Sequence, residues 1–158
     1  MGGGGAVGFP ALVDDDWLWG GKIDQIYQTI RYGIRNTNDK SRQGLMPRFG
    51  ADDMLTSAQV GAVTDYVLSL SGRGQATPEG AKIFKEQCVA CHGPDGKGNQ
   101  EMGAPNLTDK VWLHGYGEEA ILAMVNQGKT NQMPAQKDRL TDSQIHVLTA
   151  YVWGLSNK

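Results

Sequence analysis

Cysteine is almost missing from this chain: its 158 residues hold only two, at positions 88 and 91. So close a pair can close no long loop, which excludes a disulfide framework as the source of stability. No apolar run reaches the roughly 18 residues of a spanning helix, and no export signal is visible behind "MGGGG". Basic runs are missing too. With a formal net charge of −2, no nucleic-acid partner is expected. Glycine, in contrast, is plentiful at 22 residues, which suggests short helices joined by irregular backbone. The length allows one ordinary domain or two small ones, and 39% hydrophobic residues suit a globular chain.

The chain repeats itself. "GFPALVDDDWLWGG" at 8–21 matches "GAPNLTDKVWLHGYG" at 103–117, with Pro10 and Trp17 each 95 residues ahead of Pro105 and Trp112. Farther on, "MPRFGADDMLTSAQVGAVTDYVLSLSG" at 46–72 matches "MPAQKDRLTDSQIHVLTAYVWGLSN" at 133–157, pairing Met46 with Met133 and Tyr66 with Tyr151. Each copy closes on a helix announced by a capping box, Thr56-x-x-Gln59 and Thr141-x-x-Gln144. Behind the caps, Val60, Val63, Val67 and Leu70, and likewise Ile145, Leu148, Val152 and Leu155, recur at helical spacing. A middle helix is expected in each copy, with Ile23, Ile26, Tyr27 and Ile30 on its face in the first and Ile121, Leu122 and Val125 in the second. Only the second copy has an opening helix, "TPEGAKIFKEQCVACH", capped by Thr77 with Pro78 in its first turn. Carried back by 95 residues, His92 would fall just ahead of residue 1. The first copy is therefore expected to be truncated, and its 1–72 half to be less stable than the remainder.

The stretch "CVACH" at 88–92 is the attachment signature of c-type haem. Two thiols three residues apart share one side of a helical turn, and each can add to a haem vinyl group. His92 then follows where an imidazole can reach the iron. Two other readings stay open: a thioredoxin-like dithiol, although no βαβ pattern surrounds it, or half a zinc site completed by His114 or His146. For the sixth iron position the candidate is Met133, in a loop before the last helix, and the Met-Pro repeat makes Met46 its counterpart. A thioether favours Fe(II), and two filled axial sites leave an iron that exchanges electrons without bond chemistry. No catalysis is expected from this chain alone. Pro105 is expected to offer its carbonyl to the other nitrogen of His92, and Trp112 to border the haem or fill the core. "DDD" at 14–16 is most simply a solvated turn.

With these features together, the chain resembles tandem class I cytochrome c domains, and in particular the periplasmic part of subunit III of cbb3-type cytochrome c oxidase. The segments that carry the likeness are "GFPALVDDDWLWGGKIDQIYQTIRYGIRN", "MPRFG", "LTSAQVGAVTDYVLSLSG" and "GAKIFKEQCVACHGPDGKGNQEMGAPNLTDKVWLHG". The resemblance implies an all-α fold of two domains. Residues 1–72 would be a partial domain without its attachment motif, and 73–158 a complete one with one covalent haem c. Two haems, and a membrane anchor lying upstream, are implied for the full-length protein. The resemblance also implies electron relay toward an oxygen-reducing subunit, with other oxidase subunits and a soluble cytochrome c donor as partners. The place would be the periplasmic side of a bacterial inner membrane. In such subunits the axial methionines can be exchanged between domains, which would give Met46 to the haem on Cys88 and Cys91. One-domain geometry favours Met133. A soluble di-haem carrier, or the cytochrome module of another periplasmic oxidoreductase, is the alternative function.

Overall fold

The computed structural model describes residues 3–157; Met1, Gly2 and Lys158 lie outside the described residues. The described chain is helical. Its helices are α1 (Ile23–Tyr32), α2 (Ser57–Leu70), α3 (Pro78–Ile83), α4 (Val89–His92), α5 (Glu118–Gln127) and α6 (Asp142–Ser156), with a π-helical turn at Phe84–Cys88 between α3 and α4. Among the described residues no strand forms, only isolated β-bridges between loops. Both predicted capping boxes are present: Thr56 and Thr141 accept from the backbone of Gln59 and Gln144, and those glutamines accept from the threonine backbone in return.

The chain divides into two compact units that cut across the 1–72 and 73–158 halves suggested by the repeat. One unit takes the described chain up to Gly44, the short Gln100–Met102 piece and the described chain from Thr130 on; the other takes Leu45–Asn99 and Gly103–Lys129. In the first unit α1 packs against α6, burying Ile26 and Ile30 with Ile145 and Val152, while Leu12, Trp17, Tyr27 and Leu140 close over them. In the second, α2 packs on both α3 and α5. Its core holds Val60, Val63, Val67 and Leu68 with Ile83, Phe84, Leu107, Ile121 and Val125. At about 1.5–3 kcal/mol for each fully buried aliphatic side chain, these clusters set the units' cohesion.

Each unit therefore combines a middle helix from one repeat copy with a closing helix from the other. Hydrogen bonds show why. The last turn of a helix leaves carbonyls without partners. At the end of α1 the carbonyls of Ile30 and Arg31 accept from the backbone N–H of Gln136, and Arg31 also from that of Lys137. At the end of α5 the carbonyl of Asn126 accepts from the N–H of Ala51. In each unit the donors lie just beyond the Met-Pro pair of the opposite copy.

Three residues expected on buried faces are exposed instead: Ile23 of α1, Leu122 of α5 and Leu148 of α6. Periodicity gives the width of an apolar face, but a neighbouring element must cover it. The opening helix also departs from the expected single run, because its α-helical ladder loosens into the π-helical turn just ahead of the second thiol pair member's helix, α4.

Candidate haem site

Thr77 starts the segment that carries the thiols, its hydroxyl accepting from the N–H of Gly80 at 3.1 Å, with Pro78 as the first helical residue. Gly80 lets α3 cross α2 closely. A Cβ there would stand 2.2 Å from the carbonyl oxygen of Ala62 and 2.9 Å from Tyr66 Cβ. One turn on, Phe84 is buried and its ring meets Tyr66 at 5.2 Å between centroids. Anchored this way, the segment continues through the π-helical turn to Cys88 and then α4, which ends at Gly93.

The loop beyond α4 folds back on it. Gly98 donates to the carbonyl of His92 at 2.8 Å, and Asn99 and Ala104 exchange both backbone hydrogen bonds at 3.0 Å. Gly98 has φ +83°, and a Cβ there would meet the Ala104 oxygen at 2.5 Å, so a residue with a side chain does not fit this turn. The turn delivers Pro105, whose carbonyl lies 3.0 Å from His92 Nδ1. A carbonyl only accepts, so Nδ1 carries the proton and the lone pair sits on Nε2, the nitrogen left for a metal. Burial lowers the pKa of His92 while the bond to Pro105 raises it; burial is the larger influence, and it favours the neutral ring that ligates.

Cys88 and Cys91 are free, half-buried thiols. Burial, and then the neighbouring Cys91, push the Cys88 thiol up to about 11. Cys88 packs against the core of the second unit, and so do Met46, Trp112 and Tyr116. Trp112 donates its indole N–H to the carbonyl of Asp109 at 3.2 Å and meets Tyr116 at 5.2 Å between ring centroids. Two thiols at the attachment spacing, an imidazole oriented by a carbonyl, and a thioether and aromatics on the same core fit haem c.

The two methionines are held in matching ways in different units. Met46 and Lys129 exchange backbone hydrogen bonds (3.4 and 3.3 Å) just past α5, in the unit that contains Cys88, Cys91 and His92. Met133 and Ile34 do the same (3.0 and 2.9 Å) just past α1, in the other unit, where Asn36 Nδ2 also donates to the Met133 carbonyl at 2.8 Å. Ile34 and Lys129 are themselves 95 residues apart, the repeat offset. Neither had been singled out from the sequence, although that offset marks them. His146 belongs to the unit of α6, where its Nδ1 donates to the Asp142 carbonyl at 2.8 Å and its ring meets Tyr27. His114 lies in the second unit.

Residues 75–152 match the family described as "Cytochrome C oxidase, cbb3-type, subunit III". The chain is 52% identical over 158 residues to the cbb3-type cytochrome c oxidase subunit FixP of Bradyrhizobium diazoefficiens, covering 98% of this chain and 54% of that protein. To the subunit CcoP of Cereibacter sphaeroides it is 47% identical over 155 residues, covering 96% of this chain and 53% of that one. To the FixP subunit of Azorhizobium caulinodans it is 49% identical over 155 residues, covering 96% and 52%. The chain thus spans about half the length of the curated relatives it matches. With helices as its regular elements among the described residues, and similar to these proteins along nearly all of its own length, the chain is a homologue of the FixP and CcoP subunits of cbb3-type cytochrome c oxidases.

Proposed function

We propose that this chain carries electrons through one covalently attached haem c, as part of a FixP- or CcoP-like subunit in the respiratory chain of a bacterium. The observation that carries the proposal is the His92–Pro105 hydrogen bond beside two free thiols at the attachment spacing. Cys88 and Cys91 would hold the haem by thioethers, and His92 Nε2 would ligate its iron. Met46 would supply the second ligand from the protein. The reason that pointed to Met133, ligands drawn from one compact domain, favours Met46 now that Met46 shares a unit with the attachment motif.

Haem c supplies a one-electron couple. The protein's own part is to hold it. Pro105 fixes the ring and tautomer of His92, and the exchange between Met46 and Lys129 holds the thioether loop to the end of α5. Buried Phe84, Leu107, Ile121 and Val125 keep water from the core on which Cys88 packs. A soft thioether together with an imidazole as iron ligands would favour the reduced state. The partners proposed are the other oxidase subunits and a soluble cytochrome c donor, on the periplasmic side of the inner membrane. No described helix is long and apolar enough to cross a membrane.

The test is spectroscopic. Protein matured with haem-attachment machinery should give one covalent haem by pyridine haemochrome and a low-spin reduced spectrum. Met46→Ala should turn that haem high-spin and lower its potential, while Met133→Ala leaves both unchanged. A colourless mature protein defeats the proposal; the reverse pattern for the two methionines defeats the ligand assignment.

A further inference from the structure

The last turn of α1 meets the first turn of α6 through a cluster of polar side chains. Arg31 pairs with the Asp142 carboxylate and donates to the Tyr27 hydroxyl, which in turn donates to Asp142 Oδ1 at 2.8 Å. The His146 ring lies against Tyr27, 4.7 Å between centroids, and the Arg31 guanidinium stands 5.5 Å from the centre of the Tyr27 ring. An isolated ion pair as exposed as this one, 28% at Arg31 and 59% at Asp142, contributes little. Here the cation belongs to a helix C-terminus and the anion to a helix N-terminus, where each is favoured, and a tyrosine joins them. The repeat offers a comparison. Its offsets of 95 for α1 and 85 for α6 put Leu122, Asn126, Ser57 and Gly61 at these places in the other unit, and none of the four can form an ion pair.

We propose that Arg31, Tyr27 and Asp142 form a latch that positions the Met133 loop and has no counterpart at the equivalent places around the Met46 loop. The stretch from Met133 to Thr141 is tied to α1 at three levels. Met133 exchanges backbone hydrogen bonds with Ile34, and the N–H groups of Gln136 and Lys137 reach the carbonyls at the end of α1. The latch then pins Asp142, where the loop runs into α6. Arg31 serves two of these levels, because its carbonyl takes Gln136 and Lys137 while its guanidinium takes Asp142. In the other unit the carbonyl of Asn126 accepts from Ala51, and the Arg48–Asp52 ion pair stays within the loop. The exchange at Met46 is also longer, 3.4 and 3.3 Å against 3.0 and 2.9 Å at Met133. Two loops with the same Met-Pro start are thereby held unequally. The inference rests on the repeat and the ion pair, and not on which methionine ligates the haem.

The test is hydrogen exchange on the whole chain matured with its haem. Asp142→Asn should speed exchange at the amides of Met133, Gln136 and Lys137 about fivefold. Arg31→Gln should come close to it, and Tyr27→Phe, which removes one hydroxyl, should fall between it and the unsubstituted chain. Exchange at Ile30 and Val152, inside the two helices, should hold steady, and so should that at Met46 and Ala51. Because the three groups act as one, Arg31→Gln combined with Asp142→Asn should go no faster than Asp142→Asn alone. Loop rates that stay at those of the unsubstituted chain in all three single variants overturn the proposal. Equal speeding at Ile30 and Val152 does so too, since the cluster would then support the α1–α6 pair in general and not the loop. A double variant in which the two single effects multiply overturns it as well.

Discussion

Cys88 is a thiol placed where its charged form is disfavoured. Burial, then Cys91, holds it at about 11 against an ordinary 9.0. A folded-state pKa raised above the unfolded one adds stability below the unfolded value and loses it as pH climbs toward the folded value. In the haem-free chain, the unfolding midpoint in urea should therefore fall between about pH 9 and about pH 11. That fall should be smaller, by on the order of 1–2 kcal/mol, in Cys88→Ala, and identical pH profiles for the two proteins would contradict the burial effect. Thr64 and Thr149 offer a second comparison at this scale. Both are buried on equivalent helices, but Thr149 bonds the Ile145 carbonyl at 2.8 Å while Thr64 Oγ1 has no partner among the described residues. Replacing an unpaired buried hydroxyl by a methyl removes a desolvation cost of about 1 kcal/mol or more. Thr64→Val should raise the denaturant midpoint of the haem-free chain, and Thr149→Val should leave it level or lower it.

Among the elements, the α2–α3 crossing has the least tolerance. Gly80→Ala would place a Cβ 2.2 Å from a backbone oxygen, so one helix must move away and the Tyr66–Phe84 contact opens with it. The expected cost is about 2–3 kcal/mol, as in other overpacked sites, measured by thermal or urea unfolding. A loss under about 0.5 kcal/mol would show that the helices have slack there. The caps and faces of α2 and α6 were legible because threonine, glutamine and branched apolar residues act within one helix. The exposure of Leu122 and Leu148 was not, because it depends on which element lies opposite. The π-helical turn of Phe84–Cys88 was illegible too: a run of helix-compatible residues gives no sign of where its ladder slips.

For the whole molecule, the compact units run across the 1–72 and 73–158 halves. α2 lies within 1–72, yet its buried face belongs with α3 and α5. Its amide protection should therefore follow that of α3 and α5 and not that of α1, in place of the uniformly weaker first half expected from the repeat. Native-state hydrogen exchange against denaturant reads this directly. If α2 and α1 lost protection together, ahead of α3, the linear division would be restored. The same arrangement has a consequence for 73–158 alone: this piece lacks α2 and with it Val60, Val63 and Val67, so the core on which Cys88 packs is incomplete.

The repeat, the caps, the attachment spacing of Cys88, Cys91 and His92, and the two Met-Pro loops were determined by the sequence alone, since each is a matter of residue type at short range. The likeness to cbb3-type subunits rested on those same local strings. The fold alone decided which closing helix joins which middle helix, and so which methionine shares a unit with His92. Equivalent repeats offer chemically equivalent partners. Choosing between them depends on long-range packing and on loop donors reaching the open carbonyls at the ends of α1 and α5, and no local pattern in the chain records that choice.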